Sequence, residues 1–228
     1  MTMRVMGSMV GFVLAVMFVT AAQAADVKLD TDKQRFSYAI GVQIGGSLQR
    51  DGLDIDAAVI GLAIADVMSQ SPLRLTPEQM QAAFTAFQNQ KAKKMQAVSD
   101  ENLKKGQSFM AKFSKEKGVT VLENGLHYKV LTRGSGEKPA AEDTVVVHYR
   151  GTLVNGEEFD SSYKRGEPAT FAVNAVIEGW QEILPMMPAG SKWKVAIPAE
   201  LAYGSQGTGG QIGPSETLVF DIELLEIK

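Results

Sequence analysis

Between Pro77 and Pro139 the chain has no proline, and nothing else in the sequence narrows its folding choices so much. Thr76-Pro77-Glu78-Gln79 opens this stretch. Thr76 can cap the first turn, Pro77 fits the first helical position, and Gln79 completes a capping box. The spacing predicts a helix from Pro77 to about Lys117, roughly 60 Å long at 1.5 Å per residue. Its first half carries Met80, Ala83, Phe84 and Phe87 at helical spacing, whereas from Lys91 onward Lys, Gln, Asp and Asn dominate. One end is therefore expected to be buried, and residues 91–117 to form a solvated bridge, because a helix polar nearly all round has little apolar surface to bury. The lysines at 91, 93, 94, 104, 105, 112, 115 and 117 are interleaved with Asp100, Glu101 and Glu116, which reads as a solvated mixed-charge face rather than a nucleic-acid patch.

Upstream, Phe36, Ile40 and Ile44 recur every four residues, and Val59, Leu62, Ala63 and Val67 follow the same rhythm after DGLDID. Two short helices between Asp30 and Gln70 are predicted. Met68, Met80, Phe84 and Phe87 leave more apolar surface than two short helices can cover, so residues 25–90 are expected to form a homodimer. Further upstream, Arg4 precedes an apolar run from Met9 to Val19, followed by Ala22-Gln23-Ala24. That is the pattern of a cleaved export signal at 1–24, its apolar run shorter than the roughly 20 residues of a spanning helix. Arg4 is the sole charge in that segment, so 22 of the 23 Lys and Arg remain against 26 Asp and Glu, and this acidic balance argues against nucleic acid as the main partner. Cysteine is absent, which excludes disulfides, thiolate chemistry and a lipid-modified N-terminal cysteine.

After Gly118 the period changes from 3.6 to 2. Val145, Val147, Tyr149 and Leu153 share one face of a strand, with His148, Arg150 and Thr152 on the other. Trp193, Val195 and Ile197 alternate with Lys192, Lys194 and Ala196; Leu218, Phe220, Ile222 and Leu224 alternate with Val219, Asp221 and Glu223. These read as half-buried antiparallel strands, with a tight turn at Asn155-Gly156. A short helix is predicted from Glu178 to Leu184, terminated by Pro185. The fold class is α+β: an all-helical region over 25–75, a long connecting helix over 76–118, and a twisted antiparallel sheet wrapped around a short helix over 119–228.

Reactive chemistry is hard to find. His127 and His148 are isolated, HExxH spacing is absent, and no metal site is expected. GSQGTGGQIGP at 204–214 lacks the Lys-Ser/Thr ending of a phosphate loop and precedes a strand, so it reads as a surface loop. No serine sits in a G-x-S-x-G elbow. What remains is an aromatic surplus: Tyr149, Phe159, Phe171, Trp180, Tyr203 and Phe220, beside Val176 and Ile177. Spacing by itself leaves an ordinary core as the reading.

VHYRGTLVNGEEFDSS, VIEGWQEI, AYGSQGTGGQIGP and TLVFDIELL resemble, in order and spacing, the FKBP-type peptidyl-prolyl isomerases over residues 120–228. DKQRFSYAIGVQIGGSL and the long helix after it are similar to the dimerisation region of the bacterial macrophage infectivity potentiator group. The resemblance implies a five- or six-stranded sheet around a short helix, and an apolar pocket that receives proline from a polypeptide. It implies catalytic roles for Tyr149, Phe159, Asp160, Trp180, Tyr203 and Phe220, and substrate contacts from Phe171, Val176, Ile177 and Ile212. Trp180 would floor the pocket, while the Ile177 N–H and the Tyr203 hydroxyl would each bind a substrate carbonyl. Asp160 would either brace the pocket wall or polarise the substrate. No cofactor is implied; macrolides of the kind this family binds would compete, and the export signal puts the location in the periplasm, with outer-membrane or surface association left open. The alternative function is a periplasmic chaperone or proline-peptide binding module in which turnover is incidental. Two departures stand out: Thr208-Gly209-Gly210-Gln211 ahead of Ile212, where many members carry bulkier residues, and Pro185 at the end of the short helix.

Overall fold

The computed structural model describes residues 28–228, so the expected export signal at 1–24 lies outside the described residues. The chain divides into two compact units, one ending at Arg74 and one spanning Leu75–Lys228. In the first, helix α1 (Asp32–Arg50) is opened by a capping box between Thr31 and Gln34. Helix α2 (Ala57–Met68) is opened by Asp56, whose carboxylate accepts the N–H groups of Ala58 and Val59. Neither helix holds a buried residue. Phe36 is 68% exposed and Met68 80%, so the apolar periodicity that predicted these helices finds no cover among the described residues of its own unit. No described helix is long and apolar enough to cross a membrane.

The second unit begins with α3 (Pro77–Phe113), opened by the expected capping box of Thr76 and Gln79 with Pro77 in the first turn. It ends at Phe113 rather than Lys117, because the chain turns and reverses through Gly118, whose φ of +86° suits glycine. The burial along α3 also departs from expectation. Phe84 and Phe87 of the first half are exposed, while the stretch read as a solvated bridge buries Ser99, Asn102, Gly106 and Phe113. Ser99, Asn102 and Gly106 lie three and four residues apart, on one helix face. They are small or polar, so a search for apolar anchors passes over them. Phe113, with Phe109 and Met110, packs on Ala196 and Val219. Those two were assigned to the solvent face of their strands; the helix end covers them.

The sheet has seven strands where five or six were expected. They are β1 (Val119–Val121), β2 (His127–Thr132), β3 (Thr144–Leu153), β4 (Glu158–Ser161), β5 (Ala169–Ala172), β6 (Lys192–Ile197) and β7 (Leu218–Ile227), paired in the order β1-β2-β6-β7-β3-β4, with β5 also on β3. All pairs are antiparallel. The short helix α4 (Ser162–Arg165) follows β4, and α5 (Glu178–Ile183) precedes β6. Pro185 does not simply stop α5: the chain continues through a tighter turn over Leu184–Met186, where a missing N–H costs nothing. Val145, Val147, Trp193, Val195, Leu218, Ile222 and Leu224 face Trp180, Ile183 and Leu184 across one core. α5 thus packs its buried residues against the inward face of the sheet.

Ile222 is fully buried in the central strand β7. Ile222→Ala is expected to lower stability by about 2–5 kcal/mol, the range for truncating a packed core aliphatic, read as a shifted denaturant midpoint followed by tryptophan fluorescence.

Candidate functional site

Strand β3 keeps β7 along one edge, from Val145 to Leu153, but its other edge changes partner. β5 pairs it up to Val147, opposite Ala169, and β4 from Arg150, opposite Ser161. His148 and Tyr149 fall in the interval. There the Tyr149 N–H donates to Ser162 Oγ (2.8 Å), at the start of α4. The Tyr149 side chain consequently projects between Asp160 of β4 and Phe171 of β5.

A cavity of about 490 Å³ opens at this point, lined by Tyr149, Phe159, Asp160, Phe171, Ala175, Val176, Ile177, Trp180, Tyr203 and Phe220. Nine of the ten residues singled out in the sequence line it together; Ile212 does not. Ile212 is buried instead in the same core cluster as Tyr149, Trp180 and Phe220, and its carbonyl accepts the Thr208 N–H (3.0 Å). Ala175 is a lining residue the sequence did not single out, since a small side chain in a turn carries no periodic signal.

Trp180, 4% exposed, is met edge-on by three rings: Tyr149 at 5.4 Å, Phe171 at 5.9 Å and Phe220 at 5.3 Å between centroids. Its Nε1 is buried without a protein acceptor, so packing rather than a hydrogen bond orients the indole. Phe159 in turn stands edge-on to Phe220 at 5.6 Å. Gly151 makes this crowding possible: any side chain there would overlap both the Phe159 and Phe220 rings. Ile177 caps α5, its carbonyl accepting the N–H groups of Trp180 (2.9 Å) and Gln181 (3.1 Å). Its own N–H is among the first-turn donors that a helix leaves without an internal acceptor. Tyr203 stands at the rim, 41% exposed.

One wall is polar. The Tyr149 hydroxyl donates to Asp160 Oδ2, and Arg165 reaches both, at 2.5 Å from Asp160 Oδ1 and 2.9 Å from the Tyr149 oxygen. Arg165 was missed because α4, which carries it, is too short to leave a period. Burial pushes the Tyr149 hydroxyl above its ordinary range, and the bond to Asp160 adds to that, so it stays a donor. For Asp160 burial acts in the opposite sense to its partners; the hydrogen bonds from Tyr149 and Arg165 and the guanidinium charge outweigh it and hold the carboxyl below its usual range. Asp160 is therefore ionised and fully engaged at neutral pH. The two histidines lie elsewhere: His127 Nδ1 contacts the Gly125 carbonyl (2.8 Å), and His148 Nδ1 contacts Ser162 Oγ (3.0 Å) while its ring stacks on Tyr163. Among the described residues no group of three or more His, Asp or Glu could hold a metal.

The profile of the FKBP-type peptidyl-prolyl cis-trans isomerases matches residues 135–225, and that of the domain amino-terminal to such isomerases matches residues 33–130. The outer membrane protein MIP of Legionella longbeachae is 45% identical, covering 92% of this chain and 92% of its own. The chain belongs to the FKBP-type peptidyl-prolyl cis-trans isomerases. The peptidyl-prolyl cis-trans isomerase Mip of Coxiella burnetii is 38% identical, with 92% of each chain covered. The crystal structure of FkpA from Escherichia coli superposes with a TM-score of 0.62 at 38% identity, over 87% of this chain and 98% of that one. That likeness takes in the helical N-terminal region as well as the isomerase sheet. The chain is accordingly an isomerase of X-Pro peptide bonds, the activity by which its relatives are named.

Because the Asp160 carboxyl is held below its unfolded value near 3.9, it contributes stability above about pH 4 that is lost as pH falls through the lowered folded value. The melting difference between the parent protein and Asp160→Asn is expected to be present at neutral pH and to close on acidification, as measured by thermal melts across that range.

Proposed function

We propose that the cavity at Tyr149, Phe159, Asp160, Phe171, Val176, Ile177, Trp180, Tyr203 and Phe220 is where this isomerase binds proline and turns the preceding amide. The observation that carries this reading is the enclosure of Trp180 by three edge-on rings beneath an open apolar mouth. Rotation about an X-Pro amide faces a barrier of roughly 20 kcal/mol, set by amide resonance. The twisted state has lost that resonance and is less polar than the planar amide, so a dry aromatic pocket favours it without a nucleophile. Proline seats against the indole face. The Ile177 N–H and the Tyr203 hydroxyl bind carbonyls flanking the ring and hold the chain while the amide turns.

Asp160 acts as a brace in this scheme. Its two oxygens are engaged by Tyr149 and Arg165, which fixes the wall against which the rotating carbonyl moves. Macrolides of the kind this family binds compete for the same cavity. The alternative, a binding module in which turnover is incidental, has less support, because the relatives are named for the isomerisation itself.

The substrates are proline-containing polypeptides met outside the cytoplasm. This location rests on the apolar segment at residues 9–19 with Ala22-Gln23-Ala24 and on a relative named as an outer membrane protein. The working form is a homodimer through residues 25–90. Helices with no buried residue and with Phe36 68%, Val67 62% and Met68 80% exposed do not hold their shape unaided, and a second copy supplies a matching surface by symmetry.

In a protease-coupled proline-peptide assay, Tyr149→Phe and Asp160→Leu are each expected to lower kcat/KM about tenfold, equivalent to roughly 1.4 kcal/mol of barrier, and a macrolide competitor to abolish the parent activity. Undiminished activity in both variants would remove the cavity from consideration. Light scattering of the full mature chain is expected to give a dimer, converted to monomer by Phe36→Asp with Ile40→Asp, which share one face of α1.

A further inference from the structure

The connection from β6 to β7, residues 198–217, contains no strand, yet it carries Tyr203 at the cavity mouth and Ile212 in the core. Its internal backbone bonds are few: two close its first turn, Leu201 N–H to the Pro198 carbonyl (3.1 Å) and Ala202 N–H to the Ala199 carbonyl (3.0 Å), and beyond them only Gly207 N–H to the Tyr203 carbonyl (3.2 Å), Thr208 N–H to the Ile212 carbonyl (3.0 Å) and Ser215 N–H to the Gly204 carbonyl (2.9 Å) hold it. A glycine-rich segment of this kind has many accessible conformations, so something outside it must select one.

Helix α3 does so along the face formed by Ser99, Asn102 and Gly106. Ser99 Oγ shares a hydrogen bond with Ser215 Oγ at 2.7 Å. Asn102 Nδ2 donates to the Pro214 carbonyl at 2.9 Å. At Gly106 the helix backbone approaches Thr217 so closely that an added methyl group would overlap the threonine hydroxyl. Ser99, Asn102, Ser215 and Thr217 are each no more than 6% exposed, so these polar contacts are made away from water. Ser215 is held at a φ of +55°, a left-handed conformation that non-glycine residues adopt when their surroundings impose it. The same residue takes hold of Gly204, the immediate neighbour of Tyr203.

We propose that Ser99, Asn102 and Gly106 of α3 are positioning residues for the isomerase site, fixing residues 203–217 and thereby the placement of the Tyr203 rim. The proposal rests on the cavity reading above. The long helix is then part of the catalytic unit's specificity apparatus rather than a spacer, and a change in its seating at 99–106 alters how the rim grips the residues beside proline. None of the three touches substrate.

The test uses the full mature chain carrying Ser99→Ala with Asn102→Ala. Losing the two bonds is expected to speed amide hydrogen exchange across residues 204–213 by about threefold to tenfold, the equivalent of one modest hydrogen bond in all. KM toward an X-Pro tetrapeptide should rise by roughly threefold to tenfold as the rim loses its preorganisation, with kcat little changed. Lys93→Ala, on an exposed part of α3, is expected to move neither quantity. Gly106→Ala is expected to loosen the rim in the same way, and Gly106→Ala with Thr217→Gly to restore both exchange and KM, which separates displacement of the segment from simple loss of helix stability. Parental exchange rates over 204–213 in the Ser99/Asn102 variant would overturn the proposal, as would faster exchange with KM unmoved. Failure of the cavity reading gives a different result, because it leaves Tyr149→Phe fully active whatever the exchange at the rim.

Discussion

The handover of β3 from β5 to β4 is the constraint on which the rest of the isomerase unit depends. β7 pairs the strand along one side from Val145 to Leu153, with one register shift between Val146 and Val147, while on the other two short strands meet at an interval of two residues. A bare N–H in that interval would be costly; Ser162 Oγ satisfies the one at Tyr149 and so ties α4 to the strand. With α4 in place, Arg165 falls beside Asp160 and the Tyr149 hydroxyl, and the polar wall assembles. With β4 in place, Phe159 and Phe220 meet over Gly151, where no side chain fits. The floor follows from the same geometry, since α5 brings Trp180 against Tyr149, Phe171 and Phe220.

This arrangement suits a reaction that breaks no bond. Its charged groups neutralise one another in the wall: the carboxylate of Asp160 is consumed by two donors, and burial keeps Tyr149 protonated. The remaining surface is ring faces and aliphatic edges, which favour a less polar amide over a planar, resonance-stabilised one. The barrier to rotation about an X-Pro bond is electronic delocalisation within the substrate, so the reaction itself calls for no nucleophile.

Helix α3 illustrates how hydropathy can mislead. Its aromatic half, Phe84 and Phe87, is exposed within the chain, and its polar half is seated against the sheet unit through Ser99, Asn102, Gly106 and Phe113. Small polar residues allow a helix backbone to come near a loop and bond to its carbonyls, which larger apolar residues would prevent. Along this helix the small-residue face, not the apolar count, reports where the chain packs on itself.

Local signals were enough to predict the capping box at Thr76, the change from period 3.6 to period 2 after Gly118, and the inward faces of β3, β6 and β7. These are effects within a few residues, governed by backbone donors and side-chain alternation. The motifs around Tyr149, Trp180 and Tyr203 carried the family and most of the cavity's lining. Tertiary structure decided what depends on separate segments meeting: that Ile212 lies in the core and outside the lining, that Ala175 belongs to it, that Arg165 completes the wall, and that the outer face of Val219 is covered by Phe113. Each is a contact between elements remote in sequence, or one carried by a turn too short to have a period, and its free energy exists only once the sheet has brought both sides together.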